Sequence, residues 1–255
     1  MDGEAASLLT FAPMIDSELS RLVLGNYGIA YREVRHLFGW ASILALFRGG
    51  TVQIPLLSWE KRSIAGPRAM VEYFDAHCAS EKRLVPTDTF LSAQVNADWD
   101  RFNGTLGNAT AVLGYYHLLP HREIMMEPFC RGVPDAEASA LGTIYPAFAG
   151  LFKLLLNLNA SHASDALAET RALFDETDRR LADGRQFLVG DHLTLSDFAL
   201  ASAAGPVLLP ENSGSPMPPF ERMPGELQAI IVEFRKHDTA HFVETMFKEY
   251  GRKRC

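Results

Sequence analysis

The segment Val52-Gln53-Ile54-Pro55-Leu56-Leu57 constrains this chain more than any other. A proline lies among apolar, strand-forming residues just after the Gly49-Gly50 turn. Proline has no N–H to give to a sheet ladder, so it belongs at a strand end, a bulge or an edge. Read locally, a trans bond in an edge strand is the ordinary outcome, because cis is the minority state of X-Pro bonds. A cis bond is the alternative. It would turn the preceding backbone outward and leave the N–H and C=O of Ile54 free to pair with an extended, peptide-like ligand.

The residues before this segment alternate between strand and helix signals. Leu8 to Phe11 form a short strand candidate. Asp16-Ser17-Glu18 offers an N-cap with acidic residues beside the positive end of a helix. Leu19, Leu22 and Val23 give that helix its apolar stripe, and Gly25 or Gly28 can end it. Tyr31 to Val34 reads as a second strand and Leu37 to Phe47 as a helix stopped by Gly49-Gly50. Short strands are expected around Val52 to Ile54 and Leu56 to Trp59, with a turn over Glu60 to Ser63. A helix from Pro67 to about Cys78 carries its proline in the tolerated first turn.

Leu84 to Asp88 reads as a linker, and the remainder of the chain reads as helical. The candidates are Phe90 to Leu118, Asp135 to Leu158, Ser164 to Ala182, Thr194 to Leu208 and two short helices near the end. Met125-Met126 reads as loop packing between the first two. Asn212 to Pro219 is rich in Gly, Ser and Pro and is a loop. The sharpest local signal is Leu193-Thr194-Leu195-Ser196-Asp197-Phe198. Thr194 can cap a helix while Asp197 bonds back to its N–H, with Leu193 and Phe198 at the staple positions. The pattern therefore speaks for a small α/β domain over residues 1–83 and an all-helical domain over 84–255.

Bulk properties narrow the function. The 24 basic and 31 acidic residues leave a net charge of −7, which argues against nucleic-acid or anionic-membrane partners. The basic run Lys248 to Arg254 reads as a solvated helix end. Cys78, Cys130 and Cys255 are odd in number and form no CxxC pair, so a reducing, cytoplasmic setting is expected rather than a disulfide framework or a zinc site. The first residues lack the charged and apolar regions of a signal peptide. The most apolar window, Leu151 to Leu156, is short for a membrane span and contains Lys153. Asn103, Asn108 and Asn159 match glycosylation sequons and read as helix positions. The histidines, His117, His121 and His162 among them, show no metal-ligand spacing.

Taken together, Pro55, the run Arg21-Leu22-Val23-Leu24-Gly25-Asn26-Tyr27-Gly28-Ile29, the segment Ser63 to Met70 and Gly190-Asp191-His192-Leu193-Thr194-Leu195-Ser196-Asp197 resemble the glutathione S-transferase family over nearly the whole chain. The resemblance implies a thioredoxin-like domain with a mixed four-stranded sheet, a cis bond before Pro55, and an all-α helical-bundle domain behind it. It implies glutathione as co-substrate, no metal, a hydrophobic electrophile as acceptor, a role in detoxification and pairing into a homodimer.

Site residues follow from the same resemblance. Ile54 beside Pro55 would pair with the cysteinyl backbone of glutathione, with Gln53 next to it. The γ-glutamyl end would sit at the start of the third helix, where Gly66-Pro67 replaces the usual acid or amide and serine, leaving Arg68 to substitute. The thiol-activating position falls on Met14, whose thioether donates no hydrogen bond. Ser17, at the helix start, is the first alternative donor, and Thr10 the second. A carboxylate at Asp16 would oppose a thiolate. No cysteine lies near Met14, which speaks against thiol-disulfide exchange. Phe11, Trp40, Tyr115 and Tyr116 are candidates for the apolar acceptor site. Two functions are therefore expected to compete: glutathione conjugation, or a non-catalytic binding or scaffolding protein of the same fold.

Overall fold

The computed structural model describes residues 6–251. The end of the basic run, and Cys255, lie outside the described residues. The first elements are β1 (Ser7–Thr10), α1 (Ile15–Tyr27), β2 (Arg32–Arg35), α2 (Phe38–Gly49), β3 (Leu56–Trp59), β4 (Arg62–Ala65) and α3 (Pro67–Asp75). They build one mixed sheet in the order β2-β1-β3-β4. β1 runs parallel to β2 and antiparallel to β3, and β3 and β4 form a hairpin. The parallel β1–β2 pair is joined through α1, because parallel neighbours need a crossover that a tight turn cannot provide. Leu8, Leu9, Leu56 and Leu57 fill the buried centre of the sheet.

Several expected boundaries move. α1 starts two residues before Ser17, with Met14 as its N-cap and no side-chain capping bond. It ends at Gly28, whose φ of 71° suits glycine. Val52 to Ile54 is not a strand. The second strand of the hairpin is instead Arg62–Ala65, reached through Glu60 and Lys61 at φ 44° and 66°. Two successive left-handed residues match the twist of a tight hairpin, and nothing in Glu-Lys advertises that conformation. The Ile54-Pro55 bond is cis.

The helical part comprises α4 (Thr89–Trp99), a π-helical stretch over Asp100–Leu106, α5 (Gly107–Leu118), α6 (Arg122–Cys130), α7 (Asp135–Leu155), α8 (Ala160–Leu181), α9 (Leu195–Leu208), α10 (Gly225–Phe234) and α11 (Asp238–Tyr250). α6 corrects the reading of Met125-Met126 as a loop: both are helical, and Met125 is buried. α9 is the central helix and is buried nearly throughout. Its cap has the expected form, with Asp197 Oδ2 accepting from the Thr194 N–H at 2.7 Å and from its hydroxyl at 3.0 Å.

α7 is, among the described residues, the one helix long and apolar enough to cross a membrane, which the narrower Leu151 to Leu156 window does not suggest. It lies here against the protein, burying Tyr145, Phe148 and Phe152. Those rings meet Phe11, Phe38, Tyr115 and Phe129 in one aromatic cluster, with Phe11 stacked on Phe129 at 5.7 Å. Phe11 directly follows β1, so this cluster joins the sheet to α5, α6 and α7.

Candidate functional site

Two features define the candidate site, one at the start of α3 and one at the start of α1. The first is the edge formed by the Pro55 segment. The β1–β3 ladder ends at the pair Leu9 and Leu56, so Ile54 lies beyond it. Pro55 accepts a hydrogen bond from the Gly66 N–H at 2.8 Å, which fastens the segment to the start of α3. Gln53 reaches over the same glycine: a Cβ on Gly66 would lie 2.6 Å from Gln53 Nε2. Ile54 is only 3% exposed, so the open backbone edge expected from the sequence is at most a narrow strip. Behind it, Pro67 occupies the first position of α3 and offers no N–H, whereas Arg68 and Ala69 present first-turn N–H groups without intrahelical acceptors.

Arg68 does not fill the gap left by Gly66-Pro67. Its guanidinium turns to the helical part, donating to Asn96 Oδ1 at 2.6 Å and lying over the Trp99 ring.

The second feature is a cleft of about 480 Å³ with largely apolar walls. Phe11, Met14, Phe38, Tyr115 and Phe152 line it, and Pro216-Met217-Pro218 of the loop before α10 closes one side. Burial pushes the Tyr115 phenol up. Asp16 and Asn103 supply carboxyl and amide groups to this wall. A larger depression of about 840 Å³ lies across the same loop and is polar, with Glu18, Arg35 and Arg131 in its lining.

The structure separates the expected residues into two groups. Phe11, Met14 and Tyr115 line the cleft, while Trp40 and Tyr116 are not among its lining residues. Trp40 is 42% exposed on α2, and the Tyr116 ring packs on His117. The two hydroxyls expected near the thiol are occupied and buried. Ser17 Oγ donates to the Phe11 carbonyl at 2.9 Å, and Thr10 Oγ1 donates to Glu33 Oε1 at 2.9 Å. Both residues are fully buried, because α1 begins earlier than the sequence suggests and Ser17 falls on its inner face. What remains at the cleft is the start of α1 itself. The N–H groups of its first turn, at Ile15 and Asp16, lack intrahelical acceptors and lie beside Met14.

Sequence reasoning missed Asn103, which lines the cleft from the π-helical stretch, 87 positions after Asp16 on the same wall. It also missed Phe38, Phe152 and the proline-rich loop as walls. Among the described residues no cluster of His, Cys, Asp or Glu could hold a metal ion. The free thiols of Cys78 and Cys130 are both pushed up, in each case first by burial.

No family model and no curated protein matches the chain. Solved structures do. A glutathione S-transferase from Methylobacillus flagellatus with GSH bound is 15% identical at a TM-score of 0.60, over 98% of this chain and 100% of that one. One from Methylobacterium radiotolerans, in complex with glutathione sulfonate, is 13% identical at a TM-score of 0.61, over 99% and 97%. A beta-etherase from Sphingobium is 13% identical at a TM-score of 0.60, over 96% and 100%. Likeness at these identities is likeness of fold. The thioredoxin-like sheet, the all-helical part behind it and the cleft at the start of α1 together give this chain the glutathione S-transferase fold.

Proposed function

We propose that this protein binds glutathione at the Pro55 segment and joins its thiolate sulfur to an apolar electrophile held in the cleft. The observation that carries this reading is the placement of an apolar cleft against Met14, at the free N-terminus of α1, in a protein of this fold. The sulfur of a tripeptide laid along Ile54 would point to that helix end. N–H groups at a helix N-terminus favour an anion, so Ile15 and Asp16 would stabilise a thiolate without a hydroxyl donor. The thiolate is the nucleophile, and a positioned donor lowers the thiol pKa. Gln53 and the Arg68 and Ala69 N–H groups would receive the γ-glutamyl end. The reaction forms a carbon–sulfur bond and releases the leaving group, or a proton is taken up if the acceptor is an activated alkene.

A second reading keeps the fold and drops the chemistry. It is favoured by Met14 and Gly66-Pro67, which remove side-chain donors from both ends of the tripeptide site. The protein would then bind apolar ligands or act as a scaffold. Cytoplasmic residence, a role in detoxification and pairing into a homodimer belong to the first reading, and sedimentation analysis tests the pairing.

Titration calorimetry with glutathione separates the two. Binding between micromolar and low millimolar, together with turnover of 1-chloro-2,4-dinitrobenzene, is expected for the enzyme. No heat at several millimolar glutathione would discard the first reading and leave the cleft as a site for other ligands.

A further inference from the structure

α2 is apolar on every side. Between Phe38 and Gly49 its polar residues are Ser42 and Arg48. Its inner face is built from small side chains, with Ala41 and Ala45 buried where the helix lies on β1 and β4. The large side chains point the other way. Trp40, Ile43 and Phe47 recur at helical spacing, Leu46 flanks them and Val52 follows just beyond the helix, and all five are between 42% and 83% exposed. A helix that is apolar all round is ordinarily buried, and exposed apolar patches larger than a few hundred Å² mark interaction sites. A Cβ added to Gly39 or Gly50 would meet nothing within 4 Å, so both ends of this face are open to a second body.

We infer that the outer face of α2 is where two copies of this chain pair, helix against helix across a two-fold axis. The inference rests on the pairing included in the reading above and adds the surface that makes it; that surface needs no glutathione chemistry.

Area supports it. At their exposures the five side chains leave about 450 Å² of apolar surface per copy, taking ~150–250 Å² for a whole aromatic side chain and roughly half that for an aliphatic one. Two copies would withdraw about 900 Å² of it from water. Apolar atoms make up ~65% of a homodimer interface, which scales the whole contact to about 1,400 Å², inside the ~1,200–2,000 Å² of stable pairs. The chemistry fits the same occupant. A two-fold contact requires a surface that matches itself. No charge lies between Trp40 and Phe47, so this stripe can meet its own copy without desolvating an unpaired ion. Trp40, Ile43 and Phe47 also form the kind of ridge that helix pairs interdigitate. A lipid surface fits less well, because an interfacial helix carries Lys and Arg along its polar side, whereas α2 offers Arg48 alone in a chain of net charge −7. α7 exposes Leu151, Leu154 and Leu155, but Lys153 stands exposed among them.

Sedimentation equilibrium of the full chain is expected to show a dimer at micromolar concentration. Ile43→Glu and Phe47→Glu should each weaken it by about a hundredfold or more, because a carboxylate would be buried without a partner. Phe90→Glu on α4 and Leu154→Glu on α7 put the same charge on exposed apolar side chains elsewhere and should leave pairing intact. All four side chains face solvent in the single chain, so every variant should keep the wild-type circular dichroism spectrum. Ile43→Cys reads the contact directly. A two-fold axis through the middle of α2 sets Ile43 of each copy opposite the other, and diamide should yield a cross-linked dimer above the background from the native cysteines. A wild-type monomer at high micromolar concentration, no cross-link at Ile43, or a dimer broken by Phe90→Glu or Leu154→Glu but not by the α2 variants would overturn the proposal. So would binding of the monomer to phosphatidylcholine vesicles that the α2 variants abolish, which would make the face a lipid contact. A dimer through α2 in a protein that ignores glutathione would keep the surface and remove only the transferase reading. Glutathione turnover by a monomer would do the reverse.

Discussion

Arg21 of α1 and Glu33 of β2 form an ion pair at 2.6 Å with their side chains 3% and 4% exposed. Glu18 and Arg35 complete a buried network around them, and the Gly-Ser-Pro loop before α10 is tied to it. The Gly214 N–H donates to Glu18 Oε1 at 2.9 Å, and Ser215 Oγ donates to Glu18 Oε2 at 2.9 Å. The loop that closes the cleft with Pro216 to Pro218 is therefore anchored to charges inside the sheet domain.

Neutralising one member of that network leaves a buried guanidinium short of charge. Glu33→Gln is expected to cost about 3–5 kcal/mol in denaturant unfolding, as for other broken buried pairs. Burial acts to raise the Glu33 carboxyl, but the Arg21 and Arg35 guanidiniums outweigh it and hold it down to about 2. A carboxylate held below its unfolded value of 4.5 contributes stability that is present above that value and lost as pH falls through about 2. The variant should therefore lack that share of the wild-type loss between the two values. An unchanged acid limb would show that the pair does not set it.

Asp197 behaves in the opposite sense. Burial pushes its carboxyl up to about 6, against hydrogen bonds from Leu188 and Thr194 that pull it down. Because the folded value lies above the unfolded 3.8, its contribution is fully present below 3.8 and lost as pH rises through about 6. Asp197→Asn should be less stable overall, since an amide nitrogen would face the Leu188 or Thr194 N–H. Its thermal midpoint should also lose the part of the wild-type decline between about pH 4 and 6 that this group supplies. A decline identical in both proteins would place the titration elsewhere.

The cap of α9 was legible because all its parts lie within a few residues of sequence. Thr194, Asp197 and the flanking Leu193 and Phe198 signal one another locally. The order of strands and helices up to Pro67 was largely legible for the same reason. The Glu60-Lys61 hairpin was not, because its left-handed residues are neither Gly nor Asn and the sheet imposes their conformation. The site was less legible still. Phe11, Met14 and Tyr115 announce apolar surface wherever they fall, but Asn103 lines the cleft from a π-helical stretch that no local periodicity encodes. Ser17 was misplaced by a two-residue shift in the start of α1, enough to turn a side chain from a helix mouth to its buried face.

Ser17 gives a direct check on that shift. Its hydroxyl is buried and donates to the Phe11 carbonyl. Ser17→Ala is expected to lose about 1 kcal/mol of stability, with the Phe11 carbonyl keeping only its bond from the Met14 N–H, and to leave glutathione affinity and turnover unchanged. A fall in turnover of about a hundredfold or more with little loss of stability would return the hydroxyl to the chemistry.

Gly66 occupies the position where the resemblance leads one to expect an acid or amide side chain, and its backbone explains why none is present. Its φ of 80° and ψ of 153° fall in a region essentially reserved for glycine. The space beside it is also taken, since the Gln53 amide lies where a Cβ would project. Gly66→Ala must therefore both strain the backbone and displace Gln53. The strain alone is worth about 1–3 kcal/mol, and denaturant unfolding should read a loss of that order. If glutathione is held through Gln53, the same variant should weaken glutathione binding beyond what Arg68→Ala does, because Arg68 is engaged with Asn96 and Trp99 away from the α3 start. Equal weakening by both variants would mean that the two side chains share the γ-glutamyl end, and that Arg68 leaves the helical part when the tripeptide arrives.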